Sequence, residues 1–211
     1  MELKQTNTEQ AILEAAEKIF IQKGYAETRT TEIAEAAGVN HAMLHYYFRK
    51  KEALFEQIFQ KKATQMLDFF VQAFDSDLPF FEKLKFGIET HFDFIAREPL
   101  LPFFVLREII QNNERKQIVY QKMAPVAFEM FKRVSALVKE EIRKGTIRPI
   151  RAQDLFLNIV SLNVFSFVAL QLLFDETDHP QSENLKQFLE ERKNNNVETI
   201  INSIKIENDK Q

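Results

Sequence analysis

Apolar residues recur with the period of a helix along almost the whole chain. Ile12, Ala16, Ile19 and Phe20, for example, would share one face of a helix. No convincing run shows the alternation of apolar and polar residues that is typical of a strand. Only four glycines and six prolines interrupt the 211 residues. The pattern therefore predicts an all-α protein of about nine helices.

The first predicted helix has recognisable ends. Thr6 and Glu9 have the spacing of a capping box, in which two side chains bind the free N–H groups at a helix start. Gly24 follows the last apolar residues of this segment, and glycine is the usual residue at a left-handed C-cap. We therefore expect the helix to begin near Thr6 and to end at Gly24.

Two short helices follow, joined by a tight turn. The first is expected from about residue 31 to 37, with Thr30 or Thr31 as its N-cap. Gly38 ends it, and Asn40 caps a third helix that runs to about residue 48. Two helices joined in this way form the helix-turn-helix pattern, whose second helix enters the major groove of DNA.

Longer helices fill the remainder of the chain. They are predicted at about 51–74, 80–96, 102–112, 114–144, 153–174 and 182–205. Pro125 lies inside the fourth of these and is expected to break it, because proline removes a backbone donor and clashes with the preceding turn. We divide the chain into a helix-turn-helix domain at 1–52 and a helical domain at 53–211.

Composition excludes several classes of protein. The chain has no cysteine, which rules out disulfides and thiolate metal sites and fits a reducing cytoplasm. The N-terminal residues lack an apolar stretch, so we expect no signal peptide and a cytoplasmic protein. We find no nucleophile elbow, phosphate-binding loop or paired-carboxylate motif, and we expect neither an enzyme nor a cofactor.

One apolar stretch has the length of a membrane span. Residues 155–174 carry no charge over twenty positions, which is nominally enough to cross a bilayer. Asn158, Asn163 and Gln171 would be costly in lipid, however. We interpret the stretch as a helix packed within protein, and we expect no membrane partner.

The case for DNA binding comes from local pattern, because charge gives it no support. The net charge is −3, and the first sixty residues hold nine Glu against five Lys and two Arg. His41, Ala42 and Met43 begin the second helix of the helix-turn-helix, where side chains reach base edges. The imidazole can donate or accept a hydrogen bond, and the other two side chains can contact a thymine methyl group.

Side chains around these three suit the DNA backbone, because hydroxyls, N–H groups and cations bind phosphate. They lie at the start of the preceding helix, farther along the second helix, and in a basic cluster that follows it: Thr30, Thr31, His45, Tyr46, Tyr47, Arg49, Lys50 and Lys51.

Other interpretations of this region stay open at this point. Many corners of two helices and a glycine only pack, so the chain could be a helical adaptor that binds protein instead of DNA. A steep loss of affinity with salt would distinguish DNA binding. His41 and His45, four residues apart, could face one metal ion together, but no third ligand is evident and we expect no metal site.

The segment 30–54, TTEIAEAAGVNHAMLHYYFRKKEAL, resembles the sequence that characterises the TetR family of transcriptional regulators. The resemblance is strong over residues 8–60 and extends to the rest in outline. It implies an N-terminal three-helix DNA-binding domain, followed by a helical ligand-binding and dimerisation domain.

The resemblance also implies roles for single residues. His41, Ala42 and Met43 match the positions that read bases in the family. The positions that contact the DNA backbone are matched by Thr30, Thr31, Tyr46, Tyr47 and Lys51. Met43 stands where the family often has Thr or Ser, and His45 where it often has Tyr. A hydroxyl contact to phosphate is thereby lost at each of these two positions.

Phenylalanine is unusually frequent, with 21 of 211 residues, and most lie beyond residue 54. An effector cavity would be mostly apolar with a few polar groups. Its candidate residues are Phe70, Phe74, His91, Phe92, Phe103, Phe104, Arg107, Tyr120, Phe128, Phe131, Asn163 and Phe167. The alternative is that the aromatic residues are plain core and the polar ones are bonded to neighbours. The existence of a cavity is implied mainly by the family resemblance.

The last two predicted helices suit dimerisation. Helix 153–174 has more apolar surface than one neighbour covers, and with helix 182–205 and their symmetry mates it would form a four-helix bundle. A dimer reads a palindrome with two recognition helices. We therefore predict a ligand-responsive regulator, a repressor released from a palindromic operator by a small hydrophobic or aromatic effector, with helix 51–74 as the transmitter.

Overall fold

The structure, a computed structural model, describes residues 2–74, 77–173 and 183–206. Within these ranges the side chains of residues 2–6, 67, 69–74 and 171–173 lie outside the description. The described residues form nine helices: α1 (Glu2–Lys23), α2 (Thr30–Ala36), α3 (His41–Tyr47), α4 (Lys51–Phe74), α5 (Phe80–Arg97), α6 (Leu101–Gln111), α7 (Asn113–Lys144), α8 (Ala152–Leu173) and α9 (Glu183–Ile204). Within the described residues, the regular secondary structure is helical, apart from an isolated bridge between Ile147 and Lys205. The all-α prediction is confirmed.

The chain forms two compact units. The first consists of Met1–Gln65 and Leu100–Pro125, and the second of Met66–Pro99 and Val126–Gln211. Helices α4 and α7 therefore each contribute residues to both units. The predicted domains, 1–52 and 53–211, divide the chain by function rather than by packing, and that division stays a prediction.

Aromatic rings occupy the core of the first unit. The ring of Phe55 on α4 lies 6.1 Å from that of Phe20 on α1 and 5.9 Å from that of Phe104 on α6. Phe59, one turn along α4, lies 5.4 Å from Phe104. Each of these side chains is nearly inaccessible to solvent, and burying one stabilises the fold by roughly 1.5–3 kcal/mol. The rings thus fix α1, α4 and α6 against one another.

The second unit has a mainly aliphatic core. Ile88 of α5, Leu155 of α8 and Ile200 of α9 are all buried in one cluster. A second cluster pairs Phe92 of α5 with Phe167 of α8, whose ring centroids are 4.9 Å apart. These clusters hold α5, α8 and α9 together, and each helix turns an apolar face towards the same interior.

Helix α1 begins earlier than the sequence predicted. It starts at Glu2, so the capping box at Thr6 and Glu9 does not mark its N-terminus, and that prediction is wrong. The residues before Thr6 are Glu, Leu, Lys and Gln, which are all strong helix formers and extend the helix. The other end is as predicted, because Gly24 has a φ of +87° and donates its N–H to the carbonyl of Phe20 at 2.7 Å.

Helix α7 is continuous although Pro125 lies inside it, so the predicted break is wrong. A proline within a helix removes one backbone hydrogen bond and costs about 3 kcal/mol. Val119, Val126 and Met130 are buried on either side of it, and this burial keeps the helix intact through the proline. Along α7, the boundary between the two units follows Pro125.

Candidate nucleic-acid interface

Helices α2 and α3 form a helix-turn-helix within the first unit. Between them, Gly38 has a φ of +67°, and the N–H of Val39 donates to the carbonyl of Ala34 at 2.9 Å. The side chain of Asn40 accepts a hydrogen bond from the N–H of Met43 at 2.8 Å. Asn40 is thus the N-cap of α3, as the amino-acid sequence predicted.

The N-cap of α2 is Arg29, and the prediction of Thr30 or Thr31 is wrong. The carboxylate of Glu32 accepts the Arg29 N–H at 3.2 Å, so the third residue of the helix supplies the cap contact. The ammonium group of Lys23 lies 3.0 Å from the same carboxylate. Together the two contacts hold the pKa of Glu32 below its usual value. The threonine hydroxyls are therefore not needed as helix caps.

One face of α3 is open to solvent, and the other is buried. Leu44 has no exposed surface and anchors the helix to the core of the first unit. On the open face, Tyr46 is 72% exposed and Met43 43% exposed, and Tyr47 at the C-terminal end is half-buried. The exposed members of the predicted DNA-binding set on this helix are His41, Ala42, Met43, His45 and Tyr46. The structure thus brings the predicted base-reading residues onto one accessible surface.

His41 is held in place on this surface by two neighbours. Its Nε2 lies 3.0 Å from the hydroxyl oxygen of Thr30, which begins α2. Its ring lies edge-on to that of His45, with 4.4 Å between centroids. Thr31, next along α2, is exposed. The hydrogen bond between Thr30 and His41 links the first residues of the two helices.

The basic cluster that follows α3 divides into two kinds of residue. Arg49 and Lys50 are exposed, as a contact with phosphate requires. The ammonium group of Lys51 instead donates to the carbonyls of Tyr25 and Thr28, both at 2.8 Å, and lies 4.1 Å from the centre of the Tyr25 ring. Burial lowers the pKa of Lys51. Its predicted contact with the DNA backbone stays a prediction.

Tyr25 and Glu108 were not identified from the sequence. The buried carboxylate of Glu108 on α6 accepts the N–H of Tyr25 at 3.0 Å and is paired with Arg115 of α7. Burial raises the pKa of the Tyr25 hydroxyl, and a hydrogen bond with Glu52 adds to this effect. No local pattern signals the contact, because 83 residues separate its partners.

The residues predicted to line an effector cavity fall in both units. In the first unit, Phe104 is core and Phe103 is half-buried. A guanidinium N–H of Arg107 donates to the carbonyl of Phe20 at 3.5 Å, and Tyr120 is 67% exposed. The side chains of Phe70 and Phe74 lie outside the described residues.

In the second unit, two of the predicted polar groups bind each other. The side-chain amide of Asn163 donates to the Nδ1 of His91 at 3.0 Å and to the carbonyl of Ile88 at 2.9 Å. Asn196 of α9 donates in turn to the Oδ1 of Asn163 at 2.9 Å. Desolvation lowers the pKa of His91 to about 4, so the imidazole is neutral at pH 7. The three side chains tie α5, α8 and α9 together.

The aromatic candidates of the second unit differ in environment. Phe92 and Phe167 lie in the core with their rings tilted against each other, Phe131 packs beside the aliphatic cluster, and Phe128 is 69% exposed. An open groove of about 390 Å³ lies between α1 and α4 of the first unit, lined by Leu13, Gln57, Ile58, Gln60, Lys61, Thr64 and Gln65. This lining includes none of the predicted effector residues, and the effector site stays a prediction. Among the described residues, no group of three or more His, Cys, Asp or Glu could hold a metal ion.

Comparison with known proteins agrees with the geometry of α2 and α3. Residues 12–58 match the family model described as bacterial regulatory proteins, tetR family. The chain is similar to the uncharacterized HTH-type transcriptional regulator YhgD of Bacillus subtilis. The two are 26% identical over 180 residues, which cover 80% of this chain and 84% of that protein.

Two further comparisons extend the likeness beyond the helix-turn-helix region. The fatty acid metabolism regulator protein of Bacillus subtilis is 25% identical over 137 residues, covering 65% of this chain and 69% of its own. The solved structure of the transcriptional regulator FadR from Bacillus subtilis, in complex with stearoyl-CoA, has the same fold. The TM-score of the superposition is 0.69 at 20% identity, and the superposed residues cover 91% of this chain and 97% of that one. Residues 12–58 thus form a DNA-binding domain of the TetR family of bacterial transcriptional regulators, and the chain is a DNA-binding regulator.

Proposed function

We propose that the protein is a cytoplasmic repressor that binds a palindromic operator as a homodimer and leaves it when a long-chain acyl thioester binds. The observation that carries the DNA-binding part is the open face of α3. Five side chains of the predicted DNA-binding set are exposed there, above a fully buried Leu44. The named relatives are regulators; the absence of enzymatic activity stays a prediction.

The chemistry of this face suits direct reading of bases. An imidazole can hydrogen-bond to a base edge, and the side chains of Ala42 and Met43 can contact a thymine methyl group. Tyr46, with most of its surface open, can place its hydroxyl on a phosphate. Lys50 and Arg49 supply charge beside the recognition helix, although the chain as a whole carries a net charge of −3. Affinity for DNA thus depends on a local surface rather than on overall charge.

Homodimerisation is supported by the exposed apolar face of α8. Leu157 and Phe165, two turns apart, are 60% and 64% exposed. The stretch Ala152–Leu170 is long and apolar enough to cross a bilayer, yet only 28% of it is buried within the chain. We assign this surface to the α8 and α9 helices of a second copy, because a C2 interface repeats the same patch on both subunits. Two copies of α3 would then read two half-sites.

The proposed effector class comes from the relatives. One is named as a regulator of fatty acid metabolism, and the FadR structure holds stearoyl-CoA. An acyl chain requires an apolar lining with few polar groups. The second unit is rich in apolar side chains, among them the paired rings of Phe92 and Phe167. This apolar composition is the feature of the second unit that favours an acyl thioester over a polar effector.

The test is binding of the purified protein to DNA from its own promoter region, measured by fluorescence anisotropy. A scrambled fragment serves as control, and salt is varied between 50 and about 200 mM. We expect selective, salt-sensitive binding that stearoyl-CoA weakens and free coenzyme A leaves unchanged. Equal affinity for both fragments would contradict the DNA-reading role, and selective binding that ignores stearoyl-CoA would contradict only the effector class.

A further inference from the structure

We infer that Arg29 is a further DNA-binding residue, whose guanidinium binds the same backbone phosphate as the ammonium group of Lys51. Arg29 was not among the residues predicted from the sequence to bind DNA. The inference rests on the proposed operator binding, and it adds a second cation to the phosphate contact that the family resemblance implies for Lys51. Both residues belong to the first unit.

The peptide group between Thr28 and Arg29 is held at both of its polar atoms. Its carbonyl accepts a hydrogen bond from the ammonium group of Lys51 at 2.8 Å. Its N–H donates to the carboxylate of Glu32 at 3.2 Å. The backbone of Arg29 is extended at this point, with a φ of −103° and a ψ of 142°. The Cα from which the guanidinium side chain extends therefore has a fixed position.

These hydrogen bonds place Arg29 next to Lys51. Bond lengths alone limit the distance between the ammonium nitrogen and the Cα of Arg29 to about 7 Å. An arginine side chain is long enough to bring its guanidinium beside that ammonium group. A guanidinium binds two oxygens of a phosphate side by side, whereas an ammonium group binds as a point charge. One phosphate can therefore accept hydrogen bonds from both cations.

Both cations have donors left for an anion. Arg29 is exposed, and its guanidinium forms neither a hydrogen bond nor an ion pair with a residue in the described part of the chain. Lys51 uses two of its three N–H donors on the carbonyls of Tyr25 and Thr28. Because Lys51 is only half-buried, its third donor is left for an acceptor outside the protein.

Two carboxylates close to these cations have other partners. One oxygen of Glu32 lies 3.0 Å from the ammonium nitrogen of Lys23. The carboxylate of Glu52 is hydrogen-bonded to the hydroxyl of Tyr25. Neighbouring cations repel each other, and an anion bound between them relieves that repulsion. The arrangement thus favours a phosphate between Arg29 and Lys51.

The proposed phosphate site flanks the surface that is expected to read bases. Thr30 directly follows Arg29, and its hydroxyl oxygen lies 3.0 Å from the Nε2 of His41. Contacts to phosphate fix the register and orientation of a protein on the duplex. A phosphate held by Arg29 and Lys51 would therefore help to position α3 in the major groove.

The first test compares Arg29→Met with Lys116→Met, a substitution at an exposed residue of α7 in the first unit, in the full-length protein. Each substitution removes one positive charge. Binding to operator and scrambled DNA is measured over a salt series. For Arg29→Met we expect about tenfold weaker binding to both DNAs, a salt slope reduced by up to about 1 per subunit, and an unchanged melting temperature. Lys116→Met should bind as wild type, and equal binding by the two variants would overturn the contact.

Sharing of the phosphate is tested with operators that carry a neutral methylphosphonate at one position at a time. At the phosphate bound by Arg29, neutralisation should remove the difference in affinity between wild type and Arg29→Met. The same position should remove the difference between wild type and Lys51→Met. If two different positions had these effects, the sharing would be overturned.

If Lys51→Met does not fold, wild-type protein with ¹⁵N-labelled lysine replaces it. Its Lys51 ammonium signal should shift when operator DNA is added, and it should not shift with the operator neutralised at the position found for Arg29. An equal shift with both operators would overturn the sharing. Wild-type protein that binds no DNA selectively would instead contradict the proposed function itself.

Discussion

The hydroxyl oxygen of Thr30 and the Nε2 of His41 lie 3.0 Å apart, which joins the first residue of α2 to the first residue of α3. Family resemblance assigned Thr30 to phosphate and His41 to bases, as two independent contacts. In the structure they form one unit, because the hydroxyl orients the imidazole and selects which of its nitrogens faces outward. If His41 reads bases as predicted, we expect Thr30 to affect which bases are read, even without touching a base.

We predict that Thr30→Val reduces operator affinity about fivefold, since a hydrogen bond contributes roughly 1 kcal/mol. It should also relax sequence preference at the base pair read by His41. The measurement is anisotropy on a panel of operators with single base changes. In a His41→Ala background, Thr30→Val should have no further effect on preference. Thr31→Val is the matched control, and an equal relaxation of preference by that variant would contradict the pairing.

Gly24→Ala should destabilise the protein more than Gly38→Ala. Both glycines have positive φ, for which a side chain costs roughly 1–2 kcal/mol. At Gly24 an added Cβ would also lie 2.5 Å from the guanidinium carbon of Arg107, whereas at Gly38 nothing lies within 4 Å. The free energies of unfolding in urea measure the difference. In an Arg107→Ala background, the two glycine substitutions should destabilise the protein equally. If Gly24→Ala were still the more destabilising of the two there, this explanation would be refuted.

Stability should fall on acidification partly because of His91. Its pKa in the folded protein is about 4, below the 6.5 of an exposed imidazole. Between these values the unfolded chain takes up a proton that the folded protein does not, so the free energy of unfolding decreases as pH falls from 6.5 towards 4. Well above pH 6.5, His91 does not contribute to the pH dependence of the free energy of unfolding.

His91→Asn tests this dependence, because the Asn oxygen can accept the hydrogen bond that Nδ1 accepts from Asn163. Urea unfolding at pH 7 and at lower pH should show a smaller loss of stability for the variant than for wild type. If the free energy of unfolding fell equally with pH in the variant and in wild type, other groups would account for the acid sensitivity.

Phe165→Glu should convert the proposed dimer to a monomer without unfolding it, since the side chain is 64% exposed within one chain. A charge in the centre of an apolar interface is costly for both subunits. Light scattering after size-exclusion chromatography gives the mass. Phe86→Glu, at a phenylalanine of α5 that is 42% exposed, serves as the control and should stay dimeric. A dimeric Phe165→Glu protein would place the interface elsewhere.

Local features of the fold could be predicted from the sequence. The N-cap at Asn40 and the left-handed conformation of the glycines that end helices are determined by residues close in sequence. The structure confirms both predictions. His41, Ala42 and Met43, which were predicted to reach base edges, are exposed at the start of α3. Helix starts were less accurate, as Glu2 and Arg29 show, because several nearby residues can begin a helix.

Contacts between distant segments could not be predicted. Glu108 meets Tyr25 only after the chain has folded, and nothing near either residue indicates the other. The sequence placed Lys51 in a basic cluster that suits the DNA backbone, but it does not show the two carbonyls that receive its ammonium group. His91 and Asn163 were candidates for an effector site, and in the structure they satisfy each other.

The most direct test of the account is dimethyl sulfate protection of the promoter DNA, because the reagent reports on guanine N7 in the major groove. Bound wild-type protein should protect two clusters of guanines, with centres one helical turn of about 10.5 base pairs apart, or a multiple of it. His41→Ala should alter protection within each cluster and keep their spacing. Selective binding without major-groove protection, or with a single cluster, would contradict reading by two copies of α3.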